Sequence, residues 1–219
     1  MIKIEELKYI VELFRINNIN FWVDSGTLLG LYRDGKIMDH DEDIDISMWS
    51  EEENKLRNII ITLKDMGYKL RILNYNNYNF KYKFIPSHSK NSLIIDVNIF
   101  IRNKELSLCP QPVHKNGFFI KLFLKPYLLI FRSFFKMVRF ESFPNNWFFH
   151  MYTWTIPTDF FSALSMLPYT DIPTPAKVED YLEFRYGNWE IQQKNWSFVK
   201  DDVSLKHTDI KEIVKNIKP

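Results

Sequence analysis

Residues Asp43-Ile44-Asp45-Ile46-Ser47-Met48 alternate polar and apolar side chains, the period of a half-buried β-strand. On such a strand Asp43 and Asp45 point to one side, while Ile44 and Ile46 enter a core on the other. Two carboxylates held together on a rigid face repel. At about 4 Å and an effective dielectric near 20 that repulsion is of the order of 4 kcal/mol. Acids in open water splay apart; acids at a cleft need a counter-charge, and a hard divalent cation prefers such oxygen ligands. Asp41 joins the pair if the strand begins early. The competing reading, for the stretch taken alone, is an acidic loop kept in water.

The distribution of charge sharpens this. Residues 37–54 hold eight acids and no Lys or Arg, whereas residues 118–139 hold five bases and no acid. The net charge of +2 hides two segments that attract opposite partners. With 46% apolar and 16% aromatic residues, a 219-residue chain is expected to fold around a substantial core. A single cysteine, Cys109, excludes an intrachain disulfide and a Cys-rich zinc site, and fits a reducing compartment. The opening residues Met1-Ile2-Lys3-Ile4-Glu5-Glu6 are acidic where a secretory peptide would be basic and then apolar. No run reaches the roughly 20 apolar residues of a membrane span. The expectation is a soluble, cytoplasmic chain, or one peripheral at the inner face of a membrane.

Periodicity predicts an amphipathic helix over 4–17, with Leu7, Ile10, Val11 and Phe14 inward. Phe21-Trp22-Val23 reads as a short strand stopped by Asp24-Ser25-Gly26, followed by a short helix over 27–32 and a turn at Asp34-Gly35. Ser50 and Glu53 have the spacing of a capping box opening a helix that closes at Gly67. Strands are expected over 69–73, 80–85 and 93–100. Beyond Pro110 the pattern turns helical, over 118–140, 159–167 and 177–186. The predicted class is α+β: a catalytic core over 1–105 with a small mixed sheet, and a mainly helical part, 106–219, packed on it as one compact unit.

Ser25-Gly26-Thr27 lies between a strand and a helix. A glycine there lets backbone approach a phosphate, and a helix N-terminus supplies N–H donors and a favourable dipole. Asp96 is a lone acid in the apolar run Leu93 to Phe100, where burial is costly unless the acid is paired or bound to metal. Its other reading is a hydrogen-bonded structural acid. Lys81 and Lys83 share one strand face; a solvated edge is the expectation, and steering of an anion the alternative. Lys121, Lys125, Arg132, Lys136 and Arg139 are spaced by 4, 7, 4 and 3, one stripe on an otherwise apolar helix that Pro126 divides. Either the helix is nearly engulfed by protein with the stripe in water, or it lies in a membrane interface. No nucleic-acid motif accompanies it.

Four ordered motifs resemble the LicD/fukutin family of the nucleotidyltransferase fold. They are Asp24-Ser25-Gly26-Thr27-Leu28-Leu29-Gly30-Leu31-Tyr32-Arg33, then Asp41-Glu42-Asp43-Ile44-Asp45-Ile46, then Ile94-Ile95-Asp96-Val97. The last combines Ile172-Pro173-Thr174-Pro175 with Tyr181-Leu182-Glu183-Phe184-Arg185-Tyr186-Gly187-Asn188-Trp189. The departures are Asp39-His40 where the pattern has Pro-Trp, Glu42 where it has an Asp, and Ser25 where it commonly has Gly. The resemblance implies a nucleotidyltransferase-like core that transfers a phospho-alcohol, such as phosphocholine or ribitol phosphate. The donor would be a CDP-alcohol, and the acceptor a hydroxyl of a sugar or lipid-linked glycan. Carried onto this chain, it implies Asp43, Asp45 and Asp96 as catalytic and as ligands of Mg2+ or Mn2+, with Asp41 a further candidate ligand. Asp96 is either the third ligand or the general base. Ser25, Gly26, Thr27 and Arg33 would contact phosphate, the other reading for Arg33 being a surface charge ahead of the Asp-Gly turn. Tyr181, Arg185 and Tyr186, at i, i+4 and i+5 of a helix, would contact the base or sugar, with core packing the other reading for the tyrosines. The alternatives are transfer of the nucleotide itself onto a small molecule or protein, and an inactive module of the same fold that binds a membrane or a partner.

Overall fold

The computed structural model describes residues 2–75, 78–87, 92–114, 149–193 and 195–207. The helix expected over 118–140, with its basic stripe, lies outside the described residues.

Helix α1 spans Ile2–Ile16 and buries the four predicted positions, Leu7, Ile10, Val11 and Phe14. Strand β1 (Phe21–Val23) leads into α2 (Ser25–Asp34), which ends at Gly35 in the left-handed region, φ 67°. Strand β2 (Asp43–Trp49) is followed by a 3-10 segment Ser50–Lys55 and α3 (Leu56–Asp65). Then come β3 (Tyr68–Tyr75), β4 (Tyr78–Pro86), β5 (Ile94–Asn103) and β6 (Leu106–His114). The later described elements are β7 (Phe149–Pro157), β8 (Leu164–Met166), β9 (Pro173–Pro175), α4 (Val178–Tyr186) and β10 (Leu205–His207).

The main sheet is mixed and eight-stranded, running β1-β2-β5-β6-β7-β10, with β4 also on β5 and β3 beyond it. Strands β2 and β5 are parallel; the other pairs are antiparallel. Two corrections follow. Among the described residues the C-terminal half is not mainly helical, because β6, β7 and β10 continue the sheet. Residues 159–167 form no helix: a 3-10 turn Thr158–Phe161 gives way to β8, which pairs with β9. The capping box is absent as well, since Ser50 Oγ donates to Glu51 and the Glu53 carboxylate accepts from Asn79 and Tyr82 on β4. A tertiary partner outcompetes the local cap.

Ile44 and Ile46 are fully buried and pack into the core with Ile95 and Val97 of β5. Trp22 stacks on Phe161 with ring centroids 4.5 Å apart, and both pack against Phe100. These aromatics bind the segment after β7 to the strands that carry the acids. Among the described residues no helix is long and apolar enough to cross a membrane.

Gly30 sits where α2 meets the loop that follows it. A Cβ there would stand 2.7 Å from the carbonyl oxygen of Lys36, so the helix and loop touch backbone to backbone. Gly30→Ala is expected to destabilise the fold: relieving such a clash costs about 1–3 kcal/mol, against roughly 1 kcal/mol gained by alanine within a helix. A lower urea midpoint with an unchanged slope is the expected result.

Candidate active site

Strand pairing aligns one charged row across three strands. Lys83 of β4 is opposite Asp96 of β5, and Asp96 is opposite Asp45 of β2. Directly paired residues share a face, so Asp43, Asp45, Asp96, Lys81 and Lys83 all project to the same side. With strands about 4.8 Å apart, the acids cannot avoid one another. They lie in a cleft of about 610 Å3 whose lining includes Asp41, Asp43, Asp45, Asp96 and Lys81 together with Tyr186, Trp189 and Trp196. A larger hollow, about 850 Å3, lies between α1 and residues 167–172 and contains none of Asp43, Asp45 or Asp96.

Burial raises the Asp45 carboxyl well above the ordinary 3.8, and Asp43 beside it adds to the shift. Burial raises Asp43 too, helped by Asp96, and Asp41 is raised chiefly by burial. Asn98 Nδ2 donates weakly to Asp45 Oδ1 at 3.4 Å. Asp96 is differently placed. Its Oδ2 accepts from Lys81 at 3.2 Å and Lys83 at 3.0 Å, while its Oδ1 is buried without a partner. The lysines are therefore not on a solvated edge: the Lys81 side chain is 13% exposed. Burial pulls its ammonium down, but Asp96 and Asp45 outweigh that and the net displacement is upward.

The donor chemistry of this row fits a hard divalent cation. It is all oxygen, partly desolvated, short of positive charge, and includes one orphaned carboxylate oxygen. The spacing is more open than a loaded site requires. Among the described residues no three Asp, Glu, His or Cys side chains converge closely enough to ligate one ion.

The phosphate-side residues divide. Ser25 and Gly26 form the first turn of α2 and line the cleft. Ser25 adopts φ 50°, a conformation that glycine takes without cost, at the position where the resembled pattern commonly has Gly. A Cβ on Gly26 would stand 2.9 Å from Asp41 Oδ2, so the bare backbone there gives the carboxylate room. Thr27 is buried, and its Oγ1 accepts from the backbone N–H of Asp45 at 2.9 Å, tying α2 to the acidic strand. Arg33 lines the cleft with its guanidinium on Asp34 at 2.8 and 2.9 Å. The Asp39-His40 loop hangs from Lys3 of α1, whose Nζ donates to the carbonyls of Asp39 and Asp41.

Arg185 lines the cleft and is also a clamp. It is 1% exposed and donates to Asp24 Oδ1 at 3.1 Å, Ser25 Oγ at 3.2 Å and Asp202 Oδ2 at 2.5 Å. Asp24 caps α2 through the N–H of Ser25 and also accepts from Tyr181 at 2.6 Å and Ser47 at 2.6 Å. Tyr186 lines the cleft with its ring beside Trp196, centroids 5.2 Å apart. Asp24, Asn98, Trp154 and Asp202 had no role in the reading of the sequence. Only Asp24 had a local signal, an N-cap acid directly ahead of Ser25-Gly26.

A family model described as LicD/FKTN/FKRP, nucleotidyltransferase domain, matches residues 18–136, more than half of the chain. An uncharacterized protein of Rickettsia prowazekii (strain Madrid E) is 37% identical over 99 residues, 42% of this chain and 36% of that protein. One of Rickettsia typhi (strain ATCC VR-144 / Wilmington) is 40% identical over 60 residues, 27% and 19% of the two chains. The chain therefore matches about a third or less of the length of these relatives. Two structures of the antibiotic-resistance factor ANT(2'')-Ia align over 46% and 47% of this chain and 48% and 53% of theirs. They have 18% and 17% identity and TM-scores of 0.33 and 0.31. These slight likenesses bear on neither mechanism nor substrate.

Because Asp43 and Asp45 hold protons more tightly folded than unfolded, the native state binds more protons between pH 3.8 and their raised values, and stability falls as pH rises through that window. Cation-free Asp45→Asn is therefore expected to melt higher than the parent at pH 7, by a margin that vanishes near pH 3. Thermal unfolding in EDTA at the two pH values checks this. Arg185→Met leaves Asp24 and Asp202 buried without their cation, and a loss of about 3–5 kcal/mol in urea unfolding is expected.

Proposed function

The chain belongs to the LicD/FKTN/FKRP nucleotidyltransferase-domain family, and from that premise we propose that it transfers a phospho-alcohol from a CDP-alcohol to a sugar or glycan hydroxyl. The observation that carries the reading is the row of acids on β2 and β5, short of positive charge, facing one cleft with the first turn of α2 at its rim. Asp43 and Asp45 would hold a divalent cation, with Asp96 joining them. Such a cation supplies neutralisation of charge on the phosphate oxygens during transfer.

The chain's own groups supply the rest. The first turn of α2 directs backbone N–H groups and the positive end of its dipole at the donor phosphates. Gly26 keeps that surface free of a side chain. Asp96, which lines the cleft, either completes the ligand set of the cation or takes the proton of the attacking hydroxyl as the oxygen–phosphorus bond forms and CMP departs. Trp189, Trp196 and Tyr186 offer apolar faces to the nucleoside or acceptor and exclude water from the transfer. An inactive binding module has no use for so many mutually repelling acids on one face.

Incubation with Mg2+, a panel of CDP-alcohols and candidate sugars, following CMP release, tests the reading. Asp45→Asn is expected to lower turnover by about a thousandfold or more, as loss of several kcal/mol of charge stabilisation requires, while retaining a cooperative melt. Wild-type turnover in that variant would sink the assignment. Pyrophosphate release from a nucleoside triphosphate, in place of CMP, would identify nucleotidyl transfer instead.

A further inference from the structure

Lys81 and Lys83 both donate to a single oxygen of Asp96 and leave the other oxygen, buried on the same carboxylate, with no partner. A structural ion pair commonly engages both carboxylate oxygens, because an orphaned one forfeits its hydration. Two cations crowded on one oxygen also repel each other. The arrangement neutralises charge without satisfying geometry.

The charges lining the cleft explain why it persists. Arg33 is engaged by Asp34, and Arg185 by Asp24 and Asp202. Asp41 faces His40 and Lys3, whereas Asp43, Asp45 and Asp96 share Lys81 and Lys83, so along the row the carboxylates outnumber the ammonium groups, an imbalance that a divalent cation relieves. The lysines sit on the β4 side of Asp96, and Asp43 and Asp45 on its β2 side. A cation between β2 and β5 approaches Asp96 from the side away from the lysines, and its charge weakens their hold on the same carboxylate.

Resting on the phosphotransfer reading above, we propose that Lys81 and Lys83 form a displaceable counter-ion for Asp96. They hold its carboxylate while the cleft is empty, yield it to a divalent cation, and then pair with the phosphate oxygens of the donor. A lysine ammonium, a compact point charge on a flexible stem, suits such an exchange better than a planar guanidinium. Cation and donor then load cooperatively, because each relieves what the other leaves unpaired.

The signature is two affinities moving in opposite directions in one variant. Mn2+ alone is titrated into the full chain and followed by loss of the free-ion electron paramagnetic resonance signal. CDP binding is measured by calorimetry at saturating Mg2+. Lys83→Met is expected to bind Mn2+ about tenfold tighter and CDP about tenfold weaker, within the usual range of site coupling. In an Asp96→Asn background the same substitution is expected to shift Mn2+ affinity by well under tenfold, leaving only the effect of its charge on Asp43. A folded Lys83→Met chain with equal or weaker Mn2+ affinity overturns the proposal; a purely structural lysine gives that result. Thermal melts verify folding, and Lys83→Gln, which keeps an amide donor for Asp96, replaces Lys83→Met if the latter does not fold. Mn2+ binding that is absent, or indifferent to Asp43→Asn, instead removes the metal-dependent reading itself and this inference with it.

Discussion

Everything in the cleft is referenced to one buried ion pair. Asp24 ends β1, caps α2 and receives Arg185 from α4, 161 positions away in sequence, while the other arm of the same guanidinium reaches Asp202. Taking three charges out of water is expensive, and breaking such a cluster is worse than never having it. The hydrogen bonds from Tyr181, Ser47 and Ser25 to Asp24, and from Trp154 and Ser204 to Asp202, satisfy the remaining lone pairs. The first turn of α2 is thereby fixed against β2, since Asp24 also donates its backbone N–H to Asp45 O. What looks like a substrate-binding arginine by position is, in its contacts, the post to which both halves of the cleft are tied.

The acidic site sets the opposite condition. Around Asp24 the carboxylates are tied to a guanidinium and to hydroxyl and indole donors; about twenty residues further along the chain, the acids of β2 are held in a row with far fewer such partners. Stability is concentrated in the first place and given up in the second. That division is the usual mark of a site arranged for a ligand rather than for folding.

Local pattern made part of this legible. The alternation through Asp43 and Asp45 specified a strand, its faces and which carboxylates share one; the apolar run around Asp96 specified a buried strand carrying one acid. Where reading failed, the deciding partner was distant. Lys81 and Lys83 alternate with Phe80, Tyr82 and Phe84 like residues of an exposed edge, yet β4 lies between β3 and β5, and β5 brings Asp96 to them. Glu53 has the spacing of a helix cap but finds Tyr82 and Asn79 across the fold. Pro110 and Pro112 argue against strand, and nevertheless lie in β6, paired with Thr153 and Met151 of β7. Arg185 and Asp24 carry no mutual signal in a single sequence, because nothing short of the folded chain makes them neighbours.

That last separation has a kinetic side. A contact spanning most of the chain is formed late, since closing so long a loop is entropically unfavourable until nearer pairings have reduced the effective distance. Hairpins such as β3–β4 and β6–β7 can form from neighbours alone, whereas the wall of the cleft waits for α4 and residue 202 to arrive. Until α4 and residue 202 are in place, the acidic strand lacks the Arg185 clamp that fixes the first turn of α2 against it.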